Sequence, residues 1–306
     1  MVCIIKNKYK KVADFVYKLC EISGLMLYSN KFSNKIFTQF QHLFLLVYKQ
    51  FRKFTYEDLM NDLESNSEFK AYLGIKKLPH YTTLIKFAQR LSDEVLDKLQ
   101  IAFQKLLPKP TKVAIDATGI SLDNASLHYC KRIGLPIKKR PFMKATFAVD
   151  IENFTILFSK LRKKSRHDVI DARPLINKLS KYYSPEIFYA DRGYDDNKIF
   201  KLVFEKLKAY PLILQRRLDV PKHRRTGTYR KLTYDVFDYG EYLQRNKIET
   251  LNAMFKRRFG ASTKSKTWKT QKSEIMLRVV AFNIDRLIRL GKQVILIFIR
   301  ITRVSY

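Results

Sequence analysis

Up to about Leu107, apolar residues recur every three or four positions, as at Phe37, Phe40, Phe44 and Tyr48, which is the period of one helical face. The stretch 1–107 therefore reads as an all-α N-terminal domain. Thr55 with Asp58 three residues later has the form of a capping box that opens a helix, and Gly74 is placed to end one. A further helix is predicted to begin near Pro79 and to run through Leu84, Phe87 and Leu91. Two short helices joined by a turn make a helix-turn-helix-like unit. In Leu107-Pro108-Lys109-Pro110 the two prolines can continue neither a helix nor a central strand, so a domain boundary is expected there.

Beyond the prolines the pattern shortens to runs rich in apolar and β-branched residues at 112–120, 144–150, 155–161, 187–190 and 211–214, which read as five strands. Helical periods fall at 168–182, 197–208, 240–259 and 273–290. This order predicts an α/β fold over 108–290, a mixed sheet flanked by helices. It resembles the order of an RNase H-like domain. The tail 291–306, apolar over 294–299 and then basic, reads as an extension or an added contact strand.

Composition adds a partner to this picture. The hydrophobic fraction is 46% and the aromatic fraction 13%, as in a folded chain. The formal net charge is +32, which a compact body tolerates best when its partner is a polyanion, and nucleic acid is the default. A codon-driven excess of lysine in a chain with 9 glycines is the other reading of that charge. Cys3, Cys20 and Cys130 lack metal-ligand or disulfide spacing, and a reducing interior is expected. Lysines interrupt the apolar residues at the start, unlike a signal peptide, and no apolar run approaches the roughly 20 residues that span a bilayer. A soluble, cytoplasmic protein with no membrane partner is expected.

Candidate chemistry lies in three acids. Asp116 follows the apolar run Val113-Ala114-Ile115, and Asp191 follows Ile187-Phe188-Tyr189-Ala190, so each carboxylate is expected where a buried strand emerges. Two acids there repel unless a divalent cation shares them, which points to magnesium. An aspartate after a strand is also a common turn or helix cap. Within 240–259, Tyr242, Arg245, Glu249 and Lys256 fall at about 0°, 300°, 340° and 320° on a helical wheel, one arc of roughly 60°. Leu243, Leu251, Met254, Phe255 and Phe259 fall on the opposite side. A solvated charged face, with Glu249 pairing Arg245, explains the same letters.

The string Tyr242-x2-Arg245-x3-Glu249-x6-Lys256 matches in spacing the Tyr-Arg-Glu-Lys signature of DDE-type insertion-sequence transposases, a family this chain resembles over 112–290. Val113-Ala114-Ile115-Asp116-Ala117-Thr118 looks like that family's first-aspartate strand, and Ala190-Asp191-Arg192-Gly193-Tyr194 like its second-aspartate motif. His167-Asp168 is similar to a recurrent pair between them, and the segment 78–91 resembles the helix-turn-helix-like part that precedes the catalytic domain. The short span 191–249 departs from members with a large β insertion before the glutamate. The resemblance implies that Asp116, Asp191 and Glu249 are catalytic and hold two Mg2+ ions, with Mn2+ as an alternative, for phosphoryl transfer on DNA. It implies terminal inverted repeats and target DNA as partners, and a homodimer or higher assembly.

Further residues are candidates for DNA contact. Arg245, Lys256 and Tyr242 share the face of Glu249. Arg216, Arg217, Lys222, His223, Arg224, Arg225, Arg230 and Lys231 concentrate charge in a loop-like stretch, which is either a backbone-binding site or a solvated loop. Lys264, Lys266, Lys269 and Lys272 around Trp268 form a second track. Tyr81, Thr82, Lys86 and Arg90 would face DNA in the helix-turn-helix candidate, or else decorate a core helix. Asp150, Glu152, Asp195 and Asp196 are rival acids expected in turns, and His42, His80 and His128 read as structural or surface residues. A transposase-derived regulator without catalysis and an RNase H-like nuclease are the competing functions.

Overall fold

The protein is described from a computed structural model covering residues 2–29, 31–122, 132, 134, 142–163, 166–216, 220–224 and 226–292, without the side chains of 2–7 and 222. Arg217, Arg225, His128, Cys130 and the tail 293–306 lie outside the described residues. Six helices come first: α1 (Val2–Ile22), α2 (Gln39–Arg52), α3 (Tyr56–Glu64), α4 (Ser67–Tyr72), α5 (Tyr81–Arg90) and α6 (Asp93–Phe103). The expected capping box opens α3: Asp58 N–H donates to Thr55 Oγ1, and the Asp58 carboxylate accepts the Thr55 N–H, both at 3.0 Å. Gly74 follows α4 at φ +64°, a left-handed turn that glycine adopts without strain. His80 caps α5 in place of the predicted start at Pro79.

The five predicted strands are present as β1 (Lys112–Ser121), β2 (Phe142–Asp150), β3 (Thr155–Arg162), β4 (Ile187–Ala190) and β5 (Tyr210–Ile213). Their order in the sheet is β3-β2-β1-β4-β5. β1, β2 and β3 form an antiparallel meander, whereas β4 and β5 run parallel to β1. Between and after them lie α7 (Asp168–Leu179), α8 (Asn197–Leu202), α9 (Thr228–Leu232), α10 (Tyr239–Tyr242), α11 (Asn246–Phe259) and α12 (Trp268–Arg289). This is the predicted mixed sheet flanked by helices, preceded by an all-helical region.

Two predicted helices are present but change their winding along the way. The stretch 197–208 is α8 followed by a π-turn at Val203–Leu207, which ends with Lys208 at φ 58°. The stretch 240–259 is α10, a 3-10 turn at Leu243–Arg245, and then α11. A 3-10 turn winds three residues per turn, so wheel angles upstream of Asn246 are displaced. One placement is reversed: Leu243, assigned to the core face, is 51% exposed, whereas Tyr242, although only 8% exposed because Phe237 and Tyr239 pack on it, stays beside Arg245.

α12 is the central strut. It packs on α2, α5, α1 and α6 and also on β3 and α11, so the apolar residues of the helical region and the sheet form one contiguous core. The free edge of β3 is covered by amides: Asn283 bonds both the N–H and the C=O of Ile156 at 2.9 and 2.7 Å, and Gln104 donates to the Leu157 carbonyl. Gln100 accepts the Ser159 N–H. An edge strand closed in this way cannot template pairing with another chain. Among the described residues no helix is long and apolar enough to cross a membrane.

Candidate active site

The parallel register of β1 and β4 pairs Val113 with Phe188 and Ala114 with Tyr189. Two residues further along, the same register sets Asp116 beside Asp191. Asp191 is the residue after β4, as expected, but Asp116 lies inside β1, which continues to Ser121 because β2 keeps pairing with it as far as Phe142. Asp191 Oδ1 accepts the Gly193 N–H at 2.7 Å. A Cβ on Gly193 would sit 2.9 Å from that oxygen and 3.3 Å from Asp168 Oδ2, so a side chain there would push on both carboxylates. Asp168, the first residue of α7, is thus a further acid beside the pair, and buried Lys144 holds it at 2.5 Å.

α11 brings the third acid. Glu249 sits in its first turn, and its Oε1 accepts Arg245 Nη2 at 2.6 Å. The charged-face pairing foreseen as an alternative is therefore present. Three residues on, Asn252 Nδ2 donates to Asp116 Oδ2 at 3.1 Å and pins β1 to α11. Burial pushes the Asp116 carboxyl up to about 6; the charges of Asp191 and Glu249 act in the same direction, opposed by a backbone hydrogen bond at Ala117 and by Arg245. Asp116, Asp191, Glu249 and Arg245 therefore occupy one electrostatic neighbourhood. The Tyr242 ring packs against Phe237 and Tyr239, with the Arg245 guanidinium 6.0 Å from its centre. Lys256 is half-buried two turns beyond Glu249.

The donor set suits a hard divalent cation: three carboxylates, one of them half-buried and penalised as an anion until a positive charge neutralises it. Among the described residues no three acids, histidines or cysteines are gathered closely enough to hold a metal ion. Glu249 is turned to Arg245 instead, and its side chain is 58% exposed, so rotation about its own bonds suffices to release it.

Several neighbours carried little or no signal in the sequence. Asn252 shares the wheel face of Glu249 at i+3 and could have been found that way. Lys144 could not, since a lysine in an apolar strand names no partner; it is paired with Asp168 and lies 3.6 Å from Asp171. Tyr194 is fully buried, its hydroxyl has no hydrogen-bond partner among the described residues, and burial together with the charges of Asp168, Asp116, Asp191 and Asp171 raises its pKa well above the ordinary value.

The remaining candidates are distributed around the fold. Arg216 and Arg224 are exposed, and the Arg216 N–H donates to Asp195. Arg230 is committed to Asp195 by two bonds of 2.7 Å. On α5, Tyr81, Lys86 and Arg90 are exposed, and Thr82 Oγ1 meets His80 Nδ1 at 2.8 Å. Asp150 caps the turn after β2 through Glu152 and Asn153, and Asp196 caps α8, so both serve local structure. His42 is packed between Phe37 and Phe87, and burial lowers its pKa to about 4.

Residues 107–284, more than half of the chain, match the model of the transposase DDE domain. The chain belongs to that family. Asp116, Asp191 and Glu249 all fall within the matched span of this DDE transposase domain. No curated protein sequence is significantly similar to the chain. A cryo-EM structure of a piggyBac transposase synaptic complex with hairpin DNA is similar at a TM-score of 0.48 and 12% identity, with 94% of this chain and 74% of that chain covered.

Proposed function

We propose that this DDE transposase cleaves DNA at the ends of an insertion sequence and joins them to a target, acting on double-stranded DNA as a homodimer or higher assembly. The observation that carries this reading is the convergence on Asp116 of Asp191, Glu249 and Arg245, from two parallel strands and the helix that crosses them. The strand order β3-β2-β1-β4-β5 suits an RNase H-like catalytic unit over 108–290, with 1–107 as its DNA-binding partner.

Asp116, Asp191 and Glu249 would hold the divalent cations, Mg2+ or Mn2+, which when bound supply an activated water or 3′-hydroxyl and stabilise the leaving oxygen. The chain's own groups do the rest. Asn252 orients one Asp116 oxygen. Arg245, once parted from Glu249, presents a planar fork to a phosphate, and Lys256 a point charge. Arg216, Arg217, Arg224 and Arg225, with Tyr81, Thr82, Lys86 and Arg90, would bind the duplex backbone. Tyr242 supports Arg245 from below through the ring contact.

The test is incubation of the full chain with Mg2+ and duplex DNA carrying the inverted repeats that flank its gene. Nicking and joining at those ends is expected, lost in Asp116→Asn, Asp191→Asn and Glu249→Gln while end binding persists. Binding without cleavage by the unmodified chain makes it a regulator, and cleavage of an RNA–DNA hybrid makes it a nuclease.

A further inference from the structure

A cavity of about 400 Å3 opens between α2, α3, α5 and the loop that joins α11 to α12. Three ammonium groups line it: Lys49 from α2, and Lys264 and Lys266 from the loop. Lys49 is 8% exposed, and among the described residues its Nζ meets no acceptor; the group lies 4.5 Å from the centre of the Tyr56 ring. An ammonium on a largely buried side chain, partly desolvated and without a counterion, is costly to keep, and its natural complement is an anion entering the cavity. The one carboxylate among the lining residues, Glu274, is already neutralised. It accepts Arg278 Nη2 at 2.5 Å and the N–H groups of Lys264 and Ser265. Its attraction for Lys49 is outweighed, since burial first, and Lys264 and Arg278 after it, lower the pKa of that amine. Thr267 and Thr270, the cap and first turn of α12, form another wall, where the helix dipole also favours negative charge.

We propose that this cavity binds a backbone phosphate of DNA, held by Lys49, Lys264 and Lys266 at a place separate from the three acids. The proposal rests on the transposase reading for the identity of its polyanion. Its position favours a strand over a free nucleotide, because basic residues lead to it from both sides. Lys86 and Arg90 are exposed on α5, whose Ile85, Ala88 and Gln89 line the cavity, and Lys256, Arg257 and Arg258 end α11 just before the loop. Lys53 Nζ, donating to the Arg257 carbonyl at 3.1 Å, joins the end of α2 to the end of α11. The loop is also tied to the strand of Asp116: Ser121 N–H donates to the Ala261 carbonyl, and Thr263 N–H to the Ser121 carbonyl, both at 2.9 Å. A phosphate seated here is thereby referenced through β1 to the catalytic end of the sheet.

The experiment measures affinity for a mixed-sequence duplex as a function of salt, without divalent metal, for the full chain and for Lys49→Met and Lys266→Gln. Each substitution removes one phosphate-binding cation and is expected to lower the slope of log affinity against log salt by about one unit. Lys266 is exposed, so its variant keeps the test valid if Lys49→Met fails to fold. Slopes equal to that of the unmodified chain overturn the proposal. A chain with no salt-dependent DNA affinity at all removes the transposase reading as well, which separates the two failures. ATP and inorganic phosphate serve as competing probes: an ATP affinity abolished by Lys49→Met alongside an unchanged DNA slope overturns the DNA assignment in favour of a free nucleotide.

Discussion

Asn252 donates its side-chain amide to Asp116 across 3.1 Å, joining residues 136 positions apart and tying the glutamate helix to the first strand. The oxygen of the same amide is buried and has no hydrogen-bond partner among the described residues, so this bond is the one that fixes the group there. Asn252→Ala is expected to reduce strand cleavage by roughly 10–100-fold, the usual effect of removing a group that orients a metal-binding carboxylate. DNA affinity should stay unchanged. Single-turnover cleavage alongside a binding isotherm checks this, and a wild-type rate would remove the positioning role.

The raised pKa of Asp116 has a stability signature in metal-free protein. Above about pH 6 the folded state carries a partly desolvated anion that the unfolded chain holds in water, and below about pH 4 the group is mostly protonated in both. The penalty therefore grows as pH rises from 4 to 6. Asp116→Asn should be more stable than the unmodified chain at pH 8, by roughly 1–3 kcal/mol, and no more stable at pH 4. Urea denaturation in a chelator at both values tests it; a gain that is the same at both values contradicts the assignment.

Arg245 and Glu249 form a 2.6 Å pair whose acid is largely exposed, so its contribution to stability is about 0–1 kcal/mol. Arg245→Ala is expected to leave the melting temperature nearly unchanged. It should strengthen Mn2+ binding, because Glu249 is released and a repelling charge leaves the neighbourhood of Asp116. Cleavage should nevertheless fall, because the guanidinium fork that would grip a phosphate is gone. Calorimetric titration with Mn2+ decides the first effect, and weaker metal binding would refute the competition.

Lys144 is buried against Asp168 at 2.5 Å, Asp171 at 3.6 Å and the Arg166 carbonyl at 2.6 Å. Lys144→Met leaves the fully buried Asp171 with Arg162 as its sole cation among the described residues. Breaking a buried pair from one side costs about 3 kcal/mol or more. Equilibrium denaturation should register that loss, and adding Asp168→Asn should recover part of it.

Much of the fold was legible because its signals are local. The five strands announced themselves by β-branched runs bounded by polar residues, and β4 occupies the predicted 187–190 span. The capping box at Thr55 and the glycine after α4 are read from four or five consecutive letters. Leu243 shows where that reading stops. A wheel assumes 3.6 residues per turn, and the 3-10 turn at Leu243–Arg245 leaves Leu243 exposed, while Phe237 and Tyr239 bury Tyr242 beside Arg245.

The sequence by itself determined most element types, the strongly basic net charge, and the four-residue spacing that sets Glu249 beside Arg245, since each depends on composition or on neighbours along the chain. Tertiary structure alone decided that Asn252 meets Asp116, that Lys144 neutralises Asp168, and that Lys49 from α2 shares a cavity with Lys264 and Lys266. Those pairings join residues dozens to hundreds of positions apart. They arise because α12 draws the N-terminal helices and the sheet into one core, and no period or motif along the chain encodes which side chains that packing brings together.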